Sequence, residues 1–255
     1  MTTPVVDSSL WLRNYHPAPQ GRARLICFPH AGGSASYYFP VSAALSPDLD
    51  VFAVQYPGRQ DRRADPFIDT IDELADVIHL ALAPLVRDGR PFAFFGHSMG
   101  SVLSFEVARR LEERDGISPA ALFASGRRAP HKVREENVHL RDDAGIVKEM
   151  SKLGGTDSRV LADPELLDMV LPAIRNDYRA VERYSRGTEA KIGSPVIVLT
   201  ADDDPRTTVE EARAWDQHTT GPSELHTFDG GHFYLEQHAT RVIGVISGTM
   251  ARLVP

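Results

Sequence analysis

Short, mostly apolar runs alternate with amphipathic stretches along most of this chain. Each run is bounded by proline, glycine or charged residues, which is typical of buried strands. Strands are predicted at Arg24–Phe28, Val51–Tyr56, Phe92–Phe95, Ala120–Ala124, Pro195–Thr200 and Glu224–Phe228. Helical periodicity falls between them, at Ser36–Leu45, Ile71–Leu82, Gly100 to about Glu113, and Thr240–Leu253. This alternation predicts an α/β fold with a mostly parallel central sheet and helices on both faces.

A glycine-flanked serine lies where one of these strands should turn into a helix. The residues Gly96–Gly100 have the sequence GHSMG, which matches the pattern G-x-S-x-G. The two glycines remove side chains that would collide in a sharp strand-to-helix turn. Such a turn raises the serine hydroxyl above the sheet and directs backbone N–H groups at whatever the serine attacks. Ser98 is therefore the candidate nucleophile.

A serine hydroxyl needs a base, and His232 is the candidate among ten histidines. It follows a predicted strand, in the sequence Asp229–Phe233 (DGGHF), where two glycines allow the loop to bend back over the sheet edge. Most of the other histidines are explained as surface or core residues. We expect His232 to accept the proton of Ser98.

The histidine needs an acid that fixes its tautomer and stabilises the imidazolium. Asp202, Asp203 and Asp204 all follow the strand Pro195–Thr200. We choose Asp204, because Pro205 biases its backbone towards an extended form at a rigid turn. The cluster lacks the spacing of a Ca²⁺ loop, so no metal site is predicted.

The tetrahedral intermediate of acyl transfer needs backbone donors for its oxyanion. One donor is expected from Met99, the residue after the nucleophile. The other is expected in the loop His30–Gly33 after an early strand, and we assign it to Ala31 with its neighbours as alternates. His30 itself is interpreted as a turn residue.

The segment from about 130 to 193 interrupts the alternation of strands and helices. It contains no convincing strand, but helical patterns occur at Gly145–Leu153 and Pro164–Tyr184, the second with an expected break near Pro172. The segment is too long for a plain loop and leaves the sheet close to Ser98. We expect residues 1–255 to form a single domain with this insertion as a helical lid, the alternative being a small second domain without functional meaning.

Composition narrows the function classes. The chain has 255 residues, 42% of them hydrophobic, and a net charge of −7, which argues against general nucleic-acid binding. No apolar run approaches the ~20 residues that a membrane helix needs, and the first residues do not resemble a secretory signal. The single cysteine, Cys27, excludes an internal disulfide and lies in an apolar run, where it is interpreted as a buried hydrophobe. A cytoplasmic location is expected.

Five motifs occur in the order found in a known family, namely Phe28–Ser34 (FPHAGGS), Tyr56–Arg59 (YPGR), Gly96–Gly100 (GHSMG), Asp202–Pro205 (DDDP) and Gly230–Phe233 (GGHF). They resemble the type II, or external editing, thioesterases of polyketide and nonribosomal peptide antibiotic biosynthesis, over nearly the full length. The resemblance implies an α/β-hydrolase fold and a serine hydrolase that removes aberrant or stalled acyl groups through an acyl-enzyme intermediate. It implies that the substrate is carried on the phosphopantetheine arm of an acyl or peptidyl carrier protein, that no cofactor is needed, and that the lid shapes an acyl pocket.

Two alternative functions are compatible with the same residues. A generic carboxylesterase or lipase would use the same triad on small oxygen esters. A catalytically silent hydrolase-fold binding protein is the other alternative, although such proteins usually lack a triad member. We further expect a monomer.

Arginines at two strand ends are candidates for docking an acidic carrier protein. Arg59, Arg62 and Arg63 follow one strand, and Arg127 and Arg128 follow another, on the rim that should carry Ser98. Because the chain is itself acidic, docking would require a local basic patch of this kind. The alternative is that these arginines are surface charges paired with neighbours such as Asp61 and Asp65.

Overall fold

The computed structural model describes residues 6–155 and 163–254, and within them the backbone forms a seven-stranded sheet. The strands are β1 (Leu12–Arg13), β2 (Ala23–Phe28), β3 (Leu49–Val54), β4 (Phe92–His97), β5 (Leu122–Ser125), β6 (Val196–Ala201) and β7 (Ser223–Phe228). Their order across the sheet is β1-β3-β2-β4-β5-β6-β7, and β1 alone runs antiparallel to its neighbour. The strand that leads to Ser98 is therefore central, with β2 and β5 on either side.

The apolar character of the central strands follows from their position. Every residue of β2, β4, β5 and β6 is buried, because helices cover both faces of the sheet. The edge strand β7 exposes Ser223 and Glu224 instead.

The helices are α1 (Ser8–Trp11), α2 (Phe39–Leu45), α3 (Ile71–Val86), α4 (Met99–Arg110), α5 (Asp143–Leu153), α6 (Pro164–Glu182), α7 (Val209–Arg213), α8 (Tyr234–Gln237) and α9 (Ala239–Leu253). Polar side chains cap several of their N-termini. Thr70 accepts from the third residue of α3, Asp142 caps α5 and Asp163 caps α6. Within the described residues, no helix combines the length and apolar character that crossing a membrane requires.

Two hydrophobic cores lie on opposite faces of the sheet. One contains Ile78 of α3 and Leu103 of α4, and the other contains Leu45 of α2 and Ile246 of α9. This arrangement confirms the predicted α/β-hydrolase fold, with a mostly parallel sheet between two helical layers.

The element boundaries differ from the sequence prediction in a few places. Most notably, α6 continues through Pro172, where a break was expected. A proline removes one helical hydrogen bond, the one to the carbonyl of Asp168. Asp168 and Pro172 are both exposed, so water can satisfy that carbonyl, while Leu171 and Ile174 on the other side keep the helix packed.

Candidate active site

The turn that carries Ser98 is strained and tightly packed. Ser98 has φ 54° and ψ −116°, a conformation that side chains rarely adopt. A Cβ added at Gly96 would lie 2.1 Å from the carbonyl oxygen of Gly100, and one at Gly100 would lie 2.0 Å from that of Phe28. Only glycine fits at either position, as the motif requires. The Ser98 N–H donates to the carbonyl of Ser125 at 2.8 Å, which ties the turn to β5.

Ser98, His232 and Asp204 form one hydrogen-bonded chain, as the sequence predicts. Nε2 of His232 lies 3.0 Å from Oγ of Ser98, and Nδ1 lies 2.8 Å from Oδ2 of Asp204. A carboxylate can only accept, so Nδ1–H donates to Asp204 and leaves Nε2 free to accept from the serine hydroxyl. The side chains of Asp204 and His232 are 0% and 4% exposed, so little water weakens their interaction.

The three aspartates after β6 have different environments. Asp202 and Asp203 are exposed, and Oδ1 of Asp202 accepts from the N–H of Gly230 at 3.0 Å. Asp204 is buried, and its second oxygen accepts from the backbone N–H of Arg206 at 2.8 Å. That bond fixes the carboxylate plane while the first oxygen faces His232.

Two backbone N–H groups at the expected oxyanion positions have no acceptor among the described residues, those of Ala31 and Met99. Met99 begins α4, and the first N–H groups of a helix have no partner within it. In the loop after β2, Gly32 N–H donates to Asp177 and Gly33 N–H donates to the carbonyl of His30. Of these three loop residues, Ala31 therefore has the N–H available to a substrate oxygen.

Two uncharged histidine rings, those of His97 and His30, lie near His232. Burial, followed by the neighbouring His232 and His30, holds the pKa of His97 well below its usual range. Burial, together with His232 and Arg59, lowers the pKa of His30 to about 3. The Ser125 hydroxyl, hydrogen-bonded to Nδ1 of His97 at 2.9 Å, also bonds the Tyr234 hydroxyl at 2.7 Å.

Ser98 and His232 line a cavity of about 390 Å³. One wall comes from the sheet domain and includes Tyr37 and Phe233, and the other comes from α5, α6 and the residues just after α5. The α5 and α6 side chains in this wall are Met150, Leu153, Val170, Ile174 and Tyr178. They are mostly apolar, so the cavity suits an acyl chain. Part of the predicted lid, residues 156–162, lies outside the described residues.

The prediction of a docking patch is wrong for four of its five arginines. Their side chains are buried and form hydrogen bonds or ion pairs within the fold, so they are not available to a partner. Arg59 pairs with Asp177 at 2.6 Å, and the Arg62 guanidinium lies 4.1 Å from the centre of the Trp11 ring and pairs with Asp65.

Arg128 pairs with Glu136 at 2.8 Å. Burial, with Arg128 beside it, lowers the pKa of Arg127 to about 10. Of the five, Arg63 alone is exposed.

Several residues that support the site were missed by the sequence analysis. The Ser101 hydroxyl donates towards the carbonyls of Gly96 and Ser125, both at 2.8 Å, and braces the turn from below. Ser101 and Tyr234 lie within three residues of Ser98 and His232, so proximity to the motifs could have found them. Asp177 offers no such signal, because it lies far from every motif in sequence.

A strained serine follows a central parallel strand and is hydrogen-bonded to a histidine, which is hydrogen-bonded in turn to a buried aspartate. With the histidine and the aspartate coming from later strand ends, this arrangement defines a hydrolase of the α/β-hydrolase fold. Residues 23–250 match the family model described as "Thioesterase domain". The chain belongs to this thioesterase family.

Relatives and a solved structure agree with this assignment. The chain is 53% identical to the probable cadicidin biosynthesis thioesterase of Streptomyces griseus, over 95% of this chain and 66% of that protein. It is 48% identical to thioesterase PikA5 of Streptomyces venezuelae, over 95% of this chain and 86% of that protein. The structure of the type II thioesterase BorB from the borrelidin biosynthetic cluster superposes with a TM-score of 0.88 and 51% identity, covering 94% of this chain and 98% of that one. The resemblance to type II thioesterases is thereby confirmed.

Proposed function

We propose that this protein is a serine thioesterase that hydrolyses acyl groups from the phosphopantetheine arm of carrier proteins in polyketide or nonribosomal peptide synthesis. The observation that carries the proposal is the hydrogen-bonded chain of Ser98, His232 and Asp204 at the base of a largely apolar, lid-covered cavity. The partner is an acyl or peptidyl carrier protein, the enzyme is a cytoplasmic monomer, and no cofactor takes part.

In the first half-reaction, Oγ of Ser98 attacks the thioester carbonyl carbon while Nε2 of His232 takes the hydroxyl proton. The carbonyl oxygen becomes an oxyanion that accepts from the N–H groups of Ala31 and Met99. Asp204 stabilises the imidazolium through Nδ1. The intermediate collapses by breaking the carbon–sulfur bond, and His232 returns its proton to the departing pantetheine thiolate.

In the second half-reaction, a water molecule attacks the acyl-serine ester. His232 accepts a proton from this water, and the same two N–H groups hold the second oxyanion. Collapse releases the carboxylic acid and gives the proton back to Oγ of Ser98. Acyl-enzyme and free thiol are thus the two species that the mechanism requires.

The test compares wild type with Ser98→Ala on an acyl-carrier thioester and on a p-nitrophenyl ester of the same acyl group. The substitution removes one oxygen, so the fold should be kept while kcat falls on the order of 10⁴- to 10⁶-fold on both substrates. Wild type should have the higher kcat/KM on the carrier thioester. Preference for the oxygen ester would favour a generic esterase, and no turnover of either substrate would favour a silent binding protein. More than a tenth of wild-type activity in Ser98→Ala would contradict the nucleophile.

A further inference from the structure

A buried carboxylate connects the lid to the oxyanion loop, residues 30–33. Oδ2 of Asp177, on α6, accepts from the backbone N–H of Gly32 at 2.8 Å. The same carboxylate pairs with Nη1 and Nη2 of Arg59 at 2.6 and 2.9 Å. Arg59 also donates to the carbonyl of Gly33 at 3.0 Å. The Asp177 and Arg59 side chains are 3% and 8% exposed, so this double contact on the loop is shielded from water.

The two peptide planes on either side of Ala31 are held by different contacts. The carbonyl of His30 accepts from Gly33 N–H at 2.9 Å. Because a trans peptide is planar, the Ala31 N–H of that same peptide must point in the opposite direction. The next plane contains the Ala31 carbonyl and the Gly32 N–H, and Asp177 holds it. The loop thus fixes one plane itself, and the lid helix fixes the other.

Packing of α6 against the loop is equally close. Gly32 has φ 77°, and a Cβ there would lie 2.5 Å from Cγ1 of Ile174, one turn before Asp177. Asn176 donates to the carbonyl of Ile68 at 2.8 Å and anchors the same turn on the sheet domain. The stretch Ile174–Asp177 therefore lies directly on the loop that presents Ala31.

We propose that Asp177, held by Arg59, is a positioning residue for the oxyanion donor of Ala31, so that the oxyanion hole is complete only while this part of the lid is docked. The inference rests on the roles proposed above for Ser98 and Ala31. Asp177 does not touch the reacting atoms and acts through the loop. The lid then has two tasks, since it walls the cavity and sets the geometry of the transition-state site.

The test uses Asp177→Ala and Asp177→Asn with a butyryl thioester of N-acetylcysteamine, which needs no carrier protein. Oxyanion donors act in the transition state, so Asp177→Ala should lower kcat about 10- to 100-fold while KM changes by less than about threefold. Asp177→Asn should lower kcat less than Asp177→Ala does, because its amide oxygen can still accept from the Gly32 N–H. Affinity for butylboronic acid, which forms a tetrahedral adduct with the serine, should fall in parallel with kcat.

Glu182→Gln is the matched control. The Glu182 carboxylate is on the same helix, and its side chain is 5% exposed. It accepts from the backbone N–H of Val138 at 2.8 Å and of His139 at 3.2 Å, away from the oxyanion loop. The Glu182→Gln substitution should lower the melting temperature, while kcat and the affinity for butylboronic acid stay within about twofold of wild type.

Two results would overturn the proposal: full kcat in Asp177→Ala, or losses of kcat and boronic acid affinity no larger than those of Glu182→Gln. If Asp177→Ala does not fold, Asp177→Asn and Arg59→Lys provide the same comparison. Ser98→Ala separates this inference from the proposed function. An inactive Ser98→Ala with fully active Asp177 variants contradicts the positioning role alone, whereas an active Ser98→Ala contradicts the proposed function itself.

Discussion

At the scale of single residues, burial distinguishes groups that have the same chemistry. Asp202, Asp203 and Asp204 are adjacent carboxylates, yet only Asp204 is withdrawn from water and faces an imidazole. An ion pair with the imidazolium that forms during catalysis is worth more in such a site than at the surface. One carboxylate of the three can therefore serve as the acid.

We predict that Asp204→Asn lowers kcat on the order of 10⁴-fold, because an amide at this position favours the wrong tautomer of His232. Asp202→Asn and Asp203→Asn are the controls, and each should stay within about tenfold of wild type. All three variants are to be compared on one acyl thioester, with melting temperatures to verify folding. A dead Asp203→Asn beside an active Asp204→Asn would place the acid one residue earlier.

The sequence was sufficient to predict those site residues that lie in short motifs at strand ends. Ser98, Asp204 and His232 could be grouped because parallel strands bring their carboxyl ends to one edge of the sheet. Asp177 could not be found in this way, since its role depends on how α6 docks onto a loop far away in sequence. The arginines were misjudged for a related reason. Charge suggests exposure, whereas Arg59 and Arg128 are themselves buried and each pairs with a carboxylate that only the folded chain brings close.

At the scale of elements, α6 consists of two halves with different attachments. In the first half, Leu166 and Met169 are 38% and 64% exposed. In the second half, Ile174, Asp177 and Ala180 are buried, and Asp177 is bonded to the sheet domain. Pro172 lies between the halves and interrupts the helical hydrogen bonds there. We therefore expect the first half, and not the second, to move while the oxyanion loop stays held.

We predict a gradient of amide hydrogen exchange along this helix. Amides at 164–171 should exchange at least about tenfold faster than those at 174–182, because local opening costs less where few apolar contacts are broken. Butylboronic acid should slow exchange in the first half by filling the cavity beneath it. Helix α3, packed in the core, is the control and should not respond to the ligand. Equal protection in both halves, with or without the ligand, would contradict a mobile lid.

At the scale of the whole molecule, charge constrains how a partner can be recognised. The net charge is −7, and four of the five arginines first considered for docking are engaged inside the fold. Overall charge therefore does not favour long-range attraction of an acidic partner such as the proposed carrier protein. If the proposed function holds, we expect recognition to depend on short-range contacts of the arm and acyl group with the cavity. Substrates would then differ more in how slowly they dissociate than in how fast they associate.

The internal arginines also join separate parts of the molecule through Glu136. This carboxylate pairs at 2.8 Å with both Arg128, which follows β5, and Arg206, which lies beside the proposed catalytic acid. Arg206 in turn pairs with Glu149 of α5 at 2.7 Å. One largely shielded network thus connects the sheet, the Asp204 loop and helix α5.

Protonation of Glu136 at low pH should break the ion pairs of this network within a defined pH range. Burial alone would raise the pKa of Glu136, but the hydrogen bond and charge of Arg128, with Arg127 and Arg206 close by, lower it from 4.5 to about 2. The unfolded chain therefore binds the proton first as the pH falls, so the stabilisation is complete above pH 4.5 and is lost towards pH 2. We predict that Glu136→Gln lowers the free energy of unfolding by about 3 kcal/mol at pH 7, with less than about half of that difference left at pH 3. Urea denaturation at both pH values measures it, with the exposed neighbour substituted as Glu135→Gln for comparison. A difference that does not change with pH would show that Glu136 contributes packing rather than charge.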